Sequence, residues 1–141
     1  MSRISLLVFP GEPGRVSSVD LPLLPDIEVT LDDLVYMPDV QAPPDRPHPF
    51  AYFLTIHNHS DQAVTIRGRK WVVAQRGGDC LVIEGDGVVG ETPTISPGDS
   101  FSYNSAHVVA ADSLVDGAYL GVLEDGQVGI VRIPQFELHV P

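Results

Sequence analysis

Apolar and polar residues alternate along much of this chain, with the period of two that is typical of β-strands. The clearest runs span residues 27–31 and 50–56, each with an apolar side chain at every other position. The alternation then continues on even positions up to Ile66 and on odd positions from Trp71. This change of parity predicts a β-bulge near Gly68.

Turn sequences separate these runs at short and regular intervals. Residues 40–49 carry four prolines and predict a loop. Gly77-Gly78-Asp79 predicts a hairpin turn, as does Glu124-Asp125-Gly126-Gln127. Ser96-Pro97-Gly98-Asp99 fits a type II turn, with proline second and glycine third. Residues 57–62, which include asparagine, serine and aspartate, are interpreted as a further turn.

Seven to nine short strands without a helical period predict an antiparallel β-sandwich. Residues 117–123 are expected to pair with residues 128–133, and Phe136 to begin a last strand after Pro134. The expected domain covers residues 26–141.

Residues 1–25 precede that domain as an extension. Within them, residues 4–9 form a short apolar run that ends at Pro10-Gly11. We expect this run to add an edge strand to the sandwich or to pair with a second subunit.

Composition narrows the class of protein. The 141 residues carry a formal net charge of −11, which disfavours nucleic acid and anionic membranes as partners. No apolar run reaches the roughly 18 residues of a transmembrane helix, and no export signal is visible, so a cytoplasmic location is expected. Cys80 is the one cysteine and lies in an apolar run, where it is predicted to be buried.

Positive charge is concentrated in one segment. Arg67, Arg69, Lys70 and Arg76 are half of the eight basic residues and lie within ten positions. Two interpretations are open: a solvated strand face, or a local site for an anion or a protein partner.

Three glycines follow the apolar run at residues 80–83. Gly85, Gly87 and Gly90 form a G-x-G-x-x-G pattern, which in dinucleotide-binding proteins cradles a pyrophosphate at a helix N-terminus. Here Pro93 and later Pro97-Gly98 stand where the helix would run. The glycines are therefore predicted to shape turns between strands.

Other candidate chemistry is sparse. His57, His59 and Asp61 offer ligand types that suit a divalent metal, in a segment that also reads as an ordinary turn. No recognised catalytic motif is present, so no catalytic residue is assigned and an enzyme is not expected. Trp71 is predicted to lie in the core.

Several segments together carry a family resemblance. The chain resembles the ApaG (DUF525) domain in Arg69-Lys70-Trp71, in residues 85–93 and in residues 133–138, as well as in Phe50-Ala51-Tyr52-Phe53-Leu54-Thr55-Ile56-His57-Asn58 and in residues 96–105. These segments occur in the family's order.

The resemblance implies a fibronectin type III-like or immunoglobulin-like sandwich without a cofactor. It also implies a non-enzymatic interaction module linked to cobalt and magnesium homeostasis, with a protein as partner. The alternative is a module for a small anion, a pyrophosphate or a nucleotide. The candidate residues for either ligand are Arg67, Arg69, Lys70, Gly85, Gly87, Gly90 and Glu91.

Overall fold

A computed structural model describes Ile4–Leu6 and residues 19–141 of the chain, with side chains from residue 21 onward. These residues form strands joined by turns and loops, with no helix among them. The remainder of the predicted N-terminal strand, residues 7–9, lies outside the described residues. The strands are β1 (Ile4–Leu6), β2 (Val19–Leu21), β3 (Ile27–Tyr36), β4 (His48–Asn58), β5 (Val64–Gln75), β6 (Cys80–Asp86), β7 (Thr94–Ile95), β8 (Ser100–Val109), β9 (Ser113–Leu123) and β10 (Val128–Leu138).

Two antiparallel sheets form the body of the protein. One has the order β3-β4-β8, and the other has the order β10-β9-β5-β6 with β7 attached to β5. A separate two-stranded ribbon pairs β1 with β2. The predicted antiparallel β-sandwich is therefore confirmed. The described residues contain ten strands instead of seven to nine, because β2 and the two-residue β7 are too short to show alternation.

The core lies between the two large sheets and is rich in aromatic rings. Trp71 is 2% exposed, which confirms its predicted burial. Its ring lies 5.0 Å from those of Tyr52 and His107 and 6.2 Å from that of Phe136. A Cβ atom on Gly117 would come within 2.7 Å of the indole, so glycine at that position makes room for the ring.

Two bulges in the larger sheet reset the pattern of burial. The register between β5 and β9 shifts between Ile66 and Gly68, as the change of parity predicted. A second shift lies between Ile133 and Phe136 in β10. The prediction of a separate strand after Pro134 is thus wrong. Proline is tolerated at a bulge, where its missing N–H breaks no ladder bond, and β10 runs through it.

The turn expected at residues 57–62 begins later than predicted. His57 and Asn58 still belong to β4, because Asn58 closes the strand end with its side chain. Its Nδ2 donates to the Gln62 carbonyl at 2.7 Å and to the Ile95 carbonyl at 2.9 Å. Its Oδ1 accepts from the Ser60 amide at 2.9 Å. These bonds hold the turn over residues 59–62 against the neighbouring strand.

The two edges of the larger sheet differ. Leu24 donates its amide to the Ile130 carbonyl at 2.9 Å, and the Ile130 amide donates to the Pro22 carbonyl at 2.8 Å. Leu24 itself is 4% exposed. The segment that follows β2 thus covers the edge at β10. At the opposite edge, no described strand pairs with the outer side of β6.

Cys80 is exposed, so the prediction that it is buried is wrong. The apolar run that contains it forms β6, an edge strand, and Cys80 is the first residue of that strand, directly after the hairpin turn. An edge strand has a sheet neighbour on one side only, which leaves apolar residues accessible that a central strand would bury.

Candidate binding surface on strands β5 and β6

The basic residues of β5 do not gather into one site. Consecutive residues of a strand point to opposite faces of the sheet, so Arg69 shares the core-facing side with Trp71 while Lys70 points outward. Lys70 Nζ lies 3.7 Å from Glu84 Oε2, and the two side chains are 11% and 23% exposed. Arg67, at the bulge, is exposed. Arg69 and Lys70 therefore cannot hold one small anion together.

Arg69 serves the protein's own backbone. Its Nη1 donates to the carbonyls of Asp86 at 2.7 Å and Gly87 at 3.2 Å. The guanidinium lies over Gly85, where a Cβ atom would come within 2.7–2.9 Å of its nitrogen and carbon atoms. A side chain at position 85 would displace the guanidinium from this path, in which Arg69 ties β5 to the turn that follows β6.

At Gly87 and Gly90, the conformation of the backbone favours glycine. Gly87 has φ +60, and a Cβ atom there would lie 1.9 Å from the Glu91 carbonyl oxygen. Val88 and Glu91 exchange two backbone bonds of 2.7 and 2.9 Å around Val89 and Gly90. Those two residues have φ +42 and +83, as in a type I′ turn. The prediction that the glycines shape turns is confirmed for Gly87 and Gly90. It is wrong for Gly85, which lies within β6 and pairs with Arg69.

The turn has few amide groups left for a ligand. The amides of Gly87, Val88 and Glu91 donate to carbonyls of Arg67, Glu91 and Val88, respectively. A phosphate cradle needs several neighbouring N–H groups that are free and convergent. In this turn the amides stabilise the hairpin instead.

Val89 is a strained residue that exposes an apolar side chain. A β-branched residue rarely adopts positive φ, and conformations of this kind cost about 1–3 kcal/mol. We expect Val89→Asn to raise the free energy of unfolding by about 1 kcal/mol, because asparagine suits this turn position. Chemical denaturation measures the change, with Val82→Asn as the control at an exposed strand position. A lower stability for Val89→Asn than for wild type would contradict the type I′ geometry.

Three apolar side chains lie exposed around β6. Val82 is 56% exposed, Ile83 38% and Val89 47%. We call these three residues the edge patch. Sequence reasoning missed the patch because an unbroken apolar run usually marks a buried strand. No signal in the sequence placed this run at the margin, because a central strand such as β9 also lies between two turns.

A group of buried tyrosines lies beneath Arg69. The hydroxyls of Tyr103 and Tyr119 hydrogen-bond to each other. Burial raises the pKa of both hydroxyls and of the Tyr52 hydroxyl, while the nearby Arg69 charge opposes the rise. All three therefore stay protonated at neutral pH and supply no catalytic base.

His57 and His59 do not converge on a metal position with Asp61. The His57 Nε2 lies 3.0 Å from the Thr30 hydroxyl, and the His59 Nε2 lies 3.3 Å from a carboxylate oxygen of Glu28. The two rings stack in parallel with centroids 5.8 Å apart. Among the residues from 21 to 141, no three histidine, cysteine or carboxylate side chains are grouped as metal ligands.

The polar side of the other sheet is organised by a bulge in β3. The register shifts between Leu31 and Asp33, and the Asp32 carboxylate accepts hydrogen bonds from Thr55 and Thr30. These bonds lower the pKa of Asp32, and the bond from Thr55 lowers it more than the bond from Thr30. The Thr55 hydroxyl also lies 2.8 Å from the Ser102 hydroxyl. The polar groups of this network therefore bond to one another.

Comparison with known proteins agrees with the fold and the motifs. The ApaG domain family (DUF525) matches residues 38–122. The chain is 36% identical to Protein ApaG of Shewanella loihica over 116 residues, which is 82% of this chain and 90% of that protein. It is 36% identical to Protein ApaG of Nitrosomonas europaea over 108 residues, 76% of this chain and 85% of that protein.

Two solved structures share the architecture. An X-ray structure from the Northeast Structural Genomics Consortium superposes with a TM-score of 0.74 at 32% identity, over 82% of this chain and 88% of that one. A crystal structure named as the ApaA protein of Bordetella pertussis gives a TM-score of 0.74 at 29% identity, over 85% of this chain and 98% of that one. This antiparallel β-sandwich belongs to the ApaG domain family.

Proposed function

We propose that this chain is a non-enzymatic binding module of the ApaG type that recognises a protein partner through the edge patch. The observation that carries the proposal is the exposure of Val82, Ile83 and Val89 on or next to β6, whose outer side pairs with no described strand. Exposed apolar groups next to free backbone groups are typical of protein recognition. Of the positively charged groups nearby, Arg69 and Lys70 are engaged in internal contacts.

The alternative function, binding of a small anion, has less support from the geometry. Arg69 donates to backbone carbonyls, Lys70 is on the other face of β5, and Gly87 donates its amide to Arg67. The net charge of −11 also opposes an anionic ligand.

We expect pyrophosphate and ATP to produce no saturable chemical-shift changes in isotope-labelled protein. NMR titration at low ionic strength is the measurement, because exposed charge contacts are strongest there. Saturable shifts confined to residues 69–71 and 85–91, and lost in the Arg69→Gln, Lys70→Gln double variant, would establish the anion module instead. A folded-state spectrum of the double variant is the control.

Capture of a partner from the native cell extract tests the protein-binding function. We expect wild-type protein to retain a specific partner and Val82→Asp to lose it. Val128→Asp is the matched control, since Val128 is 39% exposed at the start of β10, the other edge of the same sheet. If both variants lose the partner equally, or if both retain it, recognition lies elsewhere.

We also propose that the link to cobalt and magnesium tolerance operates through the protein partner, in the cytoplasm, and not through direct metal binding. The hydrogen bonds of His57 to Thr30 and of His59 to Glu28 support this view. Titration calorimetry with Co²⁺ and Mg²⁺ should give the same weak heats for wild type and for the His57→Gln, His59→Gln double variant. Stoichiometric Co²⁺ binding that the double variant abolishes would contradict the proposal.

For the described part of the chain, no helix is long and apolar enough to cross a membrane.

A further inference from the structure

The backbone groups of β6 alternate between two sides. At one end of the ladder, the Gln75 amide donates to the Asp79 carbonyl at 3.3 Å, and at the other the Gly87 amide donates to the Arg67 carbonyl at 2.9 Å. Because antiparallel strands bond at every second residue, the odd-numbered residues from 79 to 87 face β5. The N–H and C=O groups of the even-numbered residues, Val82 and Glu84 at their centre, therefore point away from the sheet.

The fold covers one edge of this sheet and leaves the other open among the described residues. The segment Pro22–Leu24 bonds to β10, and β1 pairs with the β2 strand that leads into this segment. In the order β10-β9-β5-β6, the strands β9 and β5 lie between the covered edge strand, β10, and β6. The sequence of β6 contains no lysine or proline, and its register with β5 has no shift. Of the features that usually block pairing at an edge, β6 lacks lysine, proline and a bulge, and its charged residues are Glu84 and Asp86.

Side chains around β6 define what would pair with it. Val82 is exposed on the outer side of the sheet, and Ile83 remains 38% exposed on the core-facing side although it lies opposite Trp71. Asp79 and Asp86 bracket the strand, and neither carboxylate forms an ion pair with a described residue. A second copy of this chain would bring the same carboxylates and another net charge of −11 to the edge.

We propose that β6 binds an extended segment of a partner protein as an added β-strand, with apolar residues against Val82 and Ile83 and lysine or arginine at its ends. Main-chain bonds to Val82 and Glu84 would supply affinity, and the apolar and basic side chains would supply selectivity. This inference rests on the proposed protein-binding function, of which it specifies the mode.

A synthetic probe tests the mode directly. The probe is a peptide of seven residues, the length of β6, that alternates valine and threonine and carries lysine at both ends. At saturating peptide, we expect the amide exchange of Val82 and Glu84 to slow by about tenfold or more, as for amides newly bonded within a sheet. The amides of Leu81 and Ile83, already bonded to β5, should change little.

Two control peptides separate the contributions. Methylation of the peptide nitrogens at alternate residues removes the main-chain donors and should abolish the protection at Val82 and Glu84. Replacement of both lysines by glutamate should weaken binding by about tenfold or more, because carboxylates would then lie beside Asp79 and Asp86. Equal binding of all three peptides would overturn the proposal.

Substitutions in the protein give an independent test. Val82→Pro removes an outward N–H and leaves the bonds to β5 intact, so the variant should fold and lose the peptide. Val82→Thr retains the N–H, so the peptide should still bind this variant and slow the exchange of the Glu84 amide. If Val82→Pro fails to fold, the methylated peptide decides the same question with wild-type protein.

The outcomes distinguish this inference from the function on which it rests. Capture of a partner that Val82→Asp abolishes, without protection of Val82 and Glu84 by any peptide, would leave protein binding standing and overturn strand addition. Protection of these amides in the free protein that rises with protein concentration would identify a second copy as the occupant and also overturn the proposal. Sedimentation at the same concentrations reports that association.

Discussion

Replacing Trp71 with alanine is expected to lower the free energy of unfolding by about 3–5 kcal/mol. The indole is 2% exposed and contacts three other aromatic rings, those of Tyr52, His107 and Phe136. Its removal leaves a cavity between the sheets, and Gly117 has no side chain with which to fill it. Chemical denaturation followed by far-ultraviolet circular dichroism measures the loss.

Val82→Ala is the matched control for this experiment. It also truncates an apolar side chain in the same sheet, but Val82 is 56% exposed. We expect it to change the stability by no more than about 0.5 kcal/mol. Similar denaturation midpoints for Trp71→Ala and wild type would show that the indole does not hold the two sheets together.

Acid is expected to destabilise the protein through His107. This residue is 6% exposed between the rings of Tyr52 and Trp71, and its Nε2 has no hydrogen-bond partner among the described residues. Burial lowers the pKa of His107 from 6.5 to about 4. The unfolded chain therefore binds a proton at higher pH than the folded chain does. Stability is intact above about pH 6.5 and is lost as the pH falls to about 4, by about 3 kcal/mol.

The contribution of His107 can be isolated by substitution. His107→Phe keeps an aromatic ring in the core and should remove this part of the dependence of stability on pH. His139→Gln is the control, because the His139 side chain is 72% exposed and should contribute little. Denaturation midpoints between pH 4 and 7 give the comparison. The prediction fails if His107→Phe and wild type lose stability in parallel over that range.

Local patterns of sequence were sufficient to predict most of the sandwich. Alternation located the long strands, and the parity change near Gly68 located a bulge, because both follow from the two-residue period of a strand. Hairpin turns at Gly77-Gly78 and Asp125-Gly126 followed from the positive φ that glycine adopts there. These features depend on neighbours in sequence.

Features decided by tertiary position could not be predicted in the same way. The apolar run of β6 indicated burial, yet Cys80 and Val82 are exposed, because β6 lies at a sheet edge that alternation does not reveal. The path of Arg69 over Gly85 also depends on the pairing of two strands. The separation of Arg69 from Lys70 could have been inferred, since consecutive strand residues point to opposite faces.

We propose that this ApaG domain recognises a protein through β6 and the turn after it. Hydrogen exchange by mass spectrometry, on the protein alone and bound to a partner captured from the native extract, is the test of this recognition. We expect the partner to slow exchange in residues 80–91 and to leave residues 27–36 of the opposite sheet unchanged. Slower exchange confined to residues 27–36 and 100–109 would contradict it.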